Sequence, residues 1–163
     1  EGLMVRRINI RQVMAFEGTD MAETGVDLAE NHKQLFKQYK TEVRETIDNA
    51  MLQRVVPPGT VLKDVTLEYH QDGKTFGRQL GTYSLLVAIP GERELGQTID
   101  VAITDHGYRS VTGVPHPLDL NDATMDELTA IPGIGSSTAG DILVDRPHDS
   151  APSVEDADIA KFT

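Results

Sequence analysis

The chain has 163 residues, with 15 Lys and Arg against 26 Asp and Glu, for a net charge of -11. The absence of cysteine excludes a disulfide framework, a thiolate zinc site and a cysteine-held iron–sulfur cluster within these residues. No run approaches the roughly 18 apolar residues that cross a bilayer, and no charged-then-apolar leader opens the chain, so a cytoplasmic protein without membrane contact is expected. None of the five histidines shares the i, i+4 spacing of a helical zinc site, and no metal is expected.

Charge is unevenly distributed. Residues 116–163 carry 2 basic and 10 acidic groups, whereas residues 1–56 and 57–115 are close to balanced. The acids are mostly Asp, and only 6 of the 15 basic residues are Lys. That bias fits a protein kept soluble in concentrated salt, although an ordinary acidic surface gives the same count.

The alternation of Ile8 and Ile10 with Arg7, Asn9 and Arg11 predicts a strand over Val5–Phe16. The chain begins at Glu1 and opens directly into this run, which reads as a piece of something longer. A turn at Glu17–Asp20 leads to Leu28, Leu35, Tyr39, Val43, Ile47, Ala50 and Met51. These recur at helical steps and predict one amphipathic helix, which Pro57-Pro58-Gly59 stops. Its other face, with Lys37, Lys40, Glu42, Arg44 and Glu45, is a solvated surface or a nucleic-acid contact.

From Thr60 to Val114 the pattern is all-β. Val61, Val65 and Leu67 begin it, and Asp72-Gly73 supplies a hairpin turn. Strands follow at Phe76–Leu80, Tyr83–Ile89, Thr98–Ile103 and Tyr108–Val114. Five short strands with glycine at the corners predict a small OB-like barrel. Beyond it, Thr124 and Glu127 form a capping box for a helix with Leu128 and Ile131 on its apolar face. Pro132-Gly133-Ile134-Gly135 breaks that helix. Ser136 or Ser137 is expected to cap the next, which carries Ala139, Ile142 and Leu143 and ends at Pro147.

Leu120-Asn121-Asp122-Ala123-Thr124 through Ile131-Pro132-Gly133-Ile134-Gly135 to Ile142 resembles a helix-hairpin-helix motif. In such motifs consecutive N–H groups at the second helix face a phosphate oxygen. The resemblance therefore implies phosphate contact by Gly133, Ile134, Gly135, Ser136 and Ser137. This chain departs from DNA-binding members in having Ser136-Ser137 where a basic residue is usual, with Asp141 and Asp145 following. A packing or protein-contact module is the alternative. Pro152 to Phe162 resembles the opening of a second such unit.

Gly59–Gly113 is similar to a TRAM domain, a small RNA-binding barrel, on Gly59, Phe76-Gly77-Arg78, Leu86-Val87 and Val101-Ala102-Ile103. Arg78, Arg93 and Arg109, with Tyr83, Tyr108 and His106, would then supply charge and stacking for single strands. Alternatively the aromatic side chains fill the barrel. A strand, a helix, this barrel and the hairpin together resemble the rear of archaeal radical S-adenosylmethionine Fe–S oxidoreductases. Leu3–Arg11 and Asp105–Gly113 look like that group.

The resemblance implies a [4Fe–4S] cluster and S-adenosylmethionine in an upstream catalytic domain, with neither held by this chain. It also implies that Arg7, Asn9 and Arg11 could line the last strand of that domain and meet a substrate or cofactor anion. Exposed positions on an orphaned strand are the alternative. No nucleophile–base pair is present, and Asp105 and His106, being strand neighbours, point to opposite faces.

The expected class is thus α+β, with a five-stranded OB/TRAM-like barrel between an N-terminal strand plus long helix and a C-terminal helix-hairpin-helix. Four segments are expected: residues 1–27 as a residual barrel strand and loop, 28–56 as a linker helix, 57–115 as the TRAM-like barrel, and 116–163 as the hairpin motif. Nucleic acid and the protein's own upstream domain are the expected partners; a structural or protein-interaction module is the competing reading.

Overall fold

The structure, a computed structural model, describes residues 8–12, 15–22, 31–81 and 84–148. It divides into two units, Glu1–Leu52 and Gln53–Thr163.

In the first unit, α1 (Lys33–Val43) runs into a π-helical segment (Arg44–Asn49) and then the start of α2 (Ala50–Val55), whose last three residues belong to the second unit. The four-residue spacing of Tyr39, Val43, Ile47 and Met51 would drift by about 40° per step around a regular α-helix. A segment with i→i+5 bonding takes up that drift. Val43 is buried and Ile47 and Met51 half-buried, while Leu35 and Tyr39 remain exposed. Thr46 Oγ1 donates to the Glu42 carbonyl at 2.7 Å, a bond that competes with the helical ladder where the π segment lies.

The strand expected over Val5–Phe16 is not formed at residues 8–12 or 15–16. A strand needs neighbours for its backbone groups. Here the Ile8 amide donates instead to Oδ1 of the buried Asp48, at 3.0 Å. Leu28, Arg7 and the second-unit segment Pro152–Phe162 lie outside the described residues.

The second unit holds β1 (Val61–Gln71), β2 (Lys74–Gln79), β3 (Leu86–Pro90), β4 (Thr98–His106) and β5 (Ser110–Pro115). They close into a barrel in the order β1-β2-β3-β5-β4. Every neighbouring pair is antiparallel except β3 and β5, which are parallel. The fold is α+β, with a closed five-stranded barrel as the pattern predicts. Two boundaries differ: β3 starts at Leu86 rather than Tyr83, and β5 starts at Ser110 because residues 107–109 make the turn from β4.

Closure requires strands to bend and cross closely. Irregularities in β1 and β4 supply the bends. Gly113 supplies a close crossing, since a Cβ there would lie 2.5 Å from Val101 Cγ1 and 2.6 Å from the Ala102 carbonyl oxygen. Val65, Leu67, Val87, Ile89, Val101, Ile103 and Val111 are buried by alternation on these strands.

β4 is buried on both faces, which explains its continuous apolar run. Ala102 and Val114 join Leu118, Ala123, Leu128, Ile131 and Ala139 in a core of their own. That core fixes α3 (Met125–Thr129) and α4 (Ser136–Val144) on the outside of the barrel.

Candidate nucleic-acid interface

The two helices of the hairpin begin very differently. At α3, Thr124 Oγ1 accepts the Glu127 amide at 3.2 Å, and Glu127 Oε2 accepts the Thr124 amide at 2.9 Å. This is the reciprocal capping box that the sequence predicts. Glu127 is 2% exposed, and its other oxygen, Oε1, pairs with the Arg93 guanidinium. Arg93 is in turn held by its amide, which donates to Thr75 Oγ1 at 2.9 Å. The barrel and the first helix of the hairpin are thereby latched together.

At α4 the cap is Gly135, with no side-chain hydrogen bond. The sequence predicts Ser136 or Ser137 as the cap; instead both are the first residues of the helix itself. The turn before them depends on Gly133 at φ +88, a left-handed conformation that suits glycine. Ile134 donates its amide to the Ile131 carbonyl at 3.1 Å, so that donor is satisfied within the turn. Gly133, Gly135, Ser136 and Ser137 are exposed. The Gly135 carbonyl accepts from the Ala139 amide at 2.9 Å, and among the described residues the amides of Gly135, Ser136 and Ser137 have no acceptor. A helix start of this kind presents donors and partial positive charge to an anion. Arg146 braces the motif from behind, its guanidinium donating to the Leu120 and Ala123 carbonyls.

On the barrel, Arg78 Nη1 lies 3.5 Å from Glu68 Oε2, both half-exposed. The register sets Arg78 level with Leu86, and Leu86 opposite Ser110, which puts Arg78 and Arg109 at the same end of the barrel. That end lies about 13 Å along β3 from the Pro90 end, where the hairpin turn sits. Arg93 is consumed by Glu127 and is not a free surface charge. His106 Nε2 bonds the Val56 carbonyl at 2.5 Å, Tyr108 is exposed, and Tyr83 lies outside the described residues. In the first unit, Asn9 and Arg11 are exposed.

Phe76 does not fill the barrel. Its neighbours Thr75 and Gly77 are buried, so Phe76 points to the opposite face, where its ring stacks on Tyr69 at 5.0 Å and 5°. Both rings are half-exposed. Tyr69 was not singled out from the sequence. The legible sign was the Asp72-Gly73 turn, which sets strand residues across from one another and pairs Tyr69 with Phe76.

A cleft of about 740 Å³ opens where the hairpin turn meets the barrel. Pro90, Thr104 and Ile131 are its buried floor, and Asp72, Lys74, Asp105 and Asp126 stand exposed on its walls. Away from it, Asp100 accepts from Lys63 Nζ at 2.8 Å and from the Asp64 amide at 3.0 Å. The Lys63 bond first, then the amide, hold its carboxyl below the ordinary value of 3.8. Among the described residues, no group of three or more acidic, His or Cys side chains is arranged for a metal, and no helix is long and apolar enough to cross a membrane.

Residues 117–144 match the family model of the helix-hairpin-helix motif, so the chain carries that motif. Over 114 residues, 69% of the chain, it is 50% identical to an uncharacterized protein of Methanocaldococcus jannaschii, covering 21% of that protein. Over 154 residues, 94% of the chain, it is 37% identical to an uncharacterized protein of Archaeoglobus fulgidus, covering 28% of it. The chain thus spans about a quarter of the length of these archaeal relatives.

Proposed function

We propose that this chain holds a nucleic-acid strand, with the hairpin gripping one phosphate through the amides of Gly135, Ser136 and Ser137. The observation that carries this reading is the uncapped, exposed start of α4 inside a helix-hairpin-helix motif. Contacts of this type are sequence-independent and locate the backbone. The barrel adds the Tyr69–Phe76 stack, whose half-exposed rings suit a base, and Arg78 and Arg109. In this reading the C-terminal acids limit bulk attraction, so binding depends on these local contacts.

We further infer that the chain is the non-catalytic, C-terminal region of a cytoplasmic radical S-adenosylmethionine Fe–S oxidoreductase from a salt-adapted archaeon. The support is the order of helix, barrel and hairpin, together with the much greater length of the relatives. The [4Fe–4S] cluster and S-adenosylmethionine do not fit these residues, which offer no thiolate. They belong to an upstream domain whose substrate this region would hold. In the same reading, Arg7, Asn9 and Arg11 meet an anion in that domain.

Titration with single-stranded RNA, tRNA and duplex DNA across a salt series tests the first reading, with amide shifts as the map. Affinity should fall with salt, by roughly 0.7 log units per tenfold salt for each phosphate contacted on a single strand. Shifts should cluster at Gly133–Ser137, Arg78 and Arg109. A folded chain that binds none of them at any salt would leave the competing reading, a scaffold. The 2 basic and 10 acidic groups of residues 116–163 are the observation that favours it.

A further inference from the structure

We propose that the cleft between the hairpin turn and the barrel receives the base of one unpaired nucleotide, a guanine, whose phosphate lies on the α4 amides; the proposal rests on the nucleic-acid reading above. The cleft walls carry Asp72, Asp105 and Asp126 against Lys74 alone. A phosphate lowered into it would meet an excess of negative charge, so the backbone belongs outside, on the exposed amides, and the uncharged base inside. The lining suits a base as well, because the half-buried Ala130, Pro132 and Ile134 offer an apolar surface for its face.

The walls then select which base. A carboxylate only accepts hydrogen bonds. Asp105 and Asp126 line the cleft, are exposed and make no ion pair or side-chain hydrogen bond among the described residues, so their oxygens are available to a donor. Guanine offers two adjacent donors, N1–H and the N2 amino group, that one carboxylate takes together, and its O6 accepts from an ammonium such as Lys74. Uracil, cytosine and adenine have no such adjacent pair of donors. In a duplex the same edge is already paired, so the cleft reads single strands.

The test uses fluorescence anisotropy of the whole 163-residue chain. The probes are oligonucleotides of about ten residues. They are an all-uridine strand, the same strand with one central guanosine, and one with inosine, which lacks the N2 amino group. Deoxy versions separate the contribution of the 2′-hydroxyl. One guanosine should tighten binding roughly tenfold, and inosine should lose most of that gain.

The double variant Asp105→Asn, Asp126→Asn should bring the guanosine-to-uridine ratio to about one while binding both strands more tightly, because two repelling charges are gone. Asp141→Asn, an exposed acid on α4 outside the cleft, should tighten both slightly and keep the ratio. Equal affinity for all strands in the unaltered chain would overturn the guanine cleft and leave phosphate binding by the hairpin intact. Retention of the full ratio in the double variant would overturn it too. A folded chain that binds no strand overturns both.

Discussion

Two helix starts lie eleven residues apart in one motif and are finished in opposite ways. At α3 every device is present: Thr124 and Glu127 satisfy one another's amides, and Glu127 is buried and paired with Arg93. At α4 the cap is a glycine, and the serines that would normally close the turn sit one position too late. The same short sequence contains the residues needed to close both ends. The open end is therefore a feature of the register, and a helix start left open at an exposed turn is where an external anion fits.

The sharpest way to break this contrast is to open the closed end. Glu127→Ala removes the capping partner and leaves Arg93 without its carboxylate. We expect a loss of about 2 kcal/mol in urea unfolding, from the lost cap and the lost charge-assisted bond to the partly solvated guanidinium. An unchanged midpoint would mean that the latch does not hold barrel and hairpin together. Arg146→Ala removes two bonds to the Leu120 and Ala123 carbonyls at the entry to α3. Its cost should be about 1–2 kcal/mol, with amide shifts confined to the motif.

Closing the open end should separate stability from binding. In Gly135→Asp the carboxylate can accept the amides that the glycine leaves free, and no heavy atom lies within 4 Å of the new Cβ to oppose it. Stability should rise by a few tenths of a kcal/mol. Affinity for single strands should fall by roughly tenfold or more, since the built-in carboxylate competes for the phosphate's donors and repels it. A variant that is stabilised yet binds as before would show that the α4 amides are not the contact.

Much of this contrast could be read from residue order. The capping box is a local pattern, and Thr124 and Glu127 are three residues apart, so it was legible. So were the Asp72-Gly73 hairpin and the alternating strands of the barrel. The Arg93–Glu127 pair was not, because it joins residues 34 apart and neither end is distinctive in isolation. Whether Gly135 or a serine caps α4 turns on one residue of register, which serine-rich turns do not specify. The strand expected near Ile8 failed for a different reason: period-2 alternation reports which side chains share a face, and not whether a neighbouring strand exists to pair with.

The smallest expected effect concerns Asp100, and it calibrates the others. Its carboxyl joins β1 to β4 through Lys63 and the Asp64 amide, at a half-buried position that solvent still reaches. Those partners favour the charged form, so its folded value is depressed below 3.8. A depressed carboxyl contributes stability that is present above the unfolded value and is lost as pH falls through the folded one. The unaltered chain should thus weaken slightly more on acidification below about pH 3.8 than Asp100→Asn, and the two should behave alike at neutral pH. The variant also removes one acid from the barrel without touching the hairpin. Its strand affinity should rise only marginally, through screened long-range repulsion. If Asp100→Asn tightened binding as much as the Asp105 and Asp126 changes do, bulk charge rather than the cleft would be governing affinity, and the distinction between the two helix starts would lose its functional meaning.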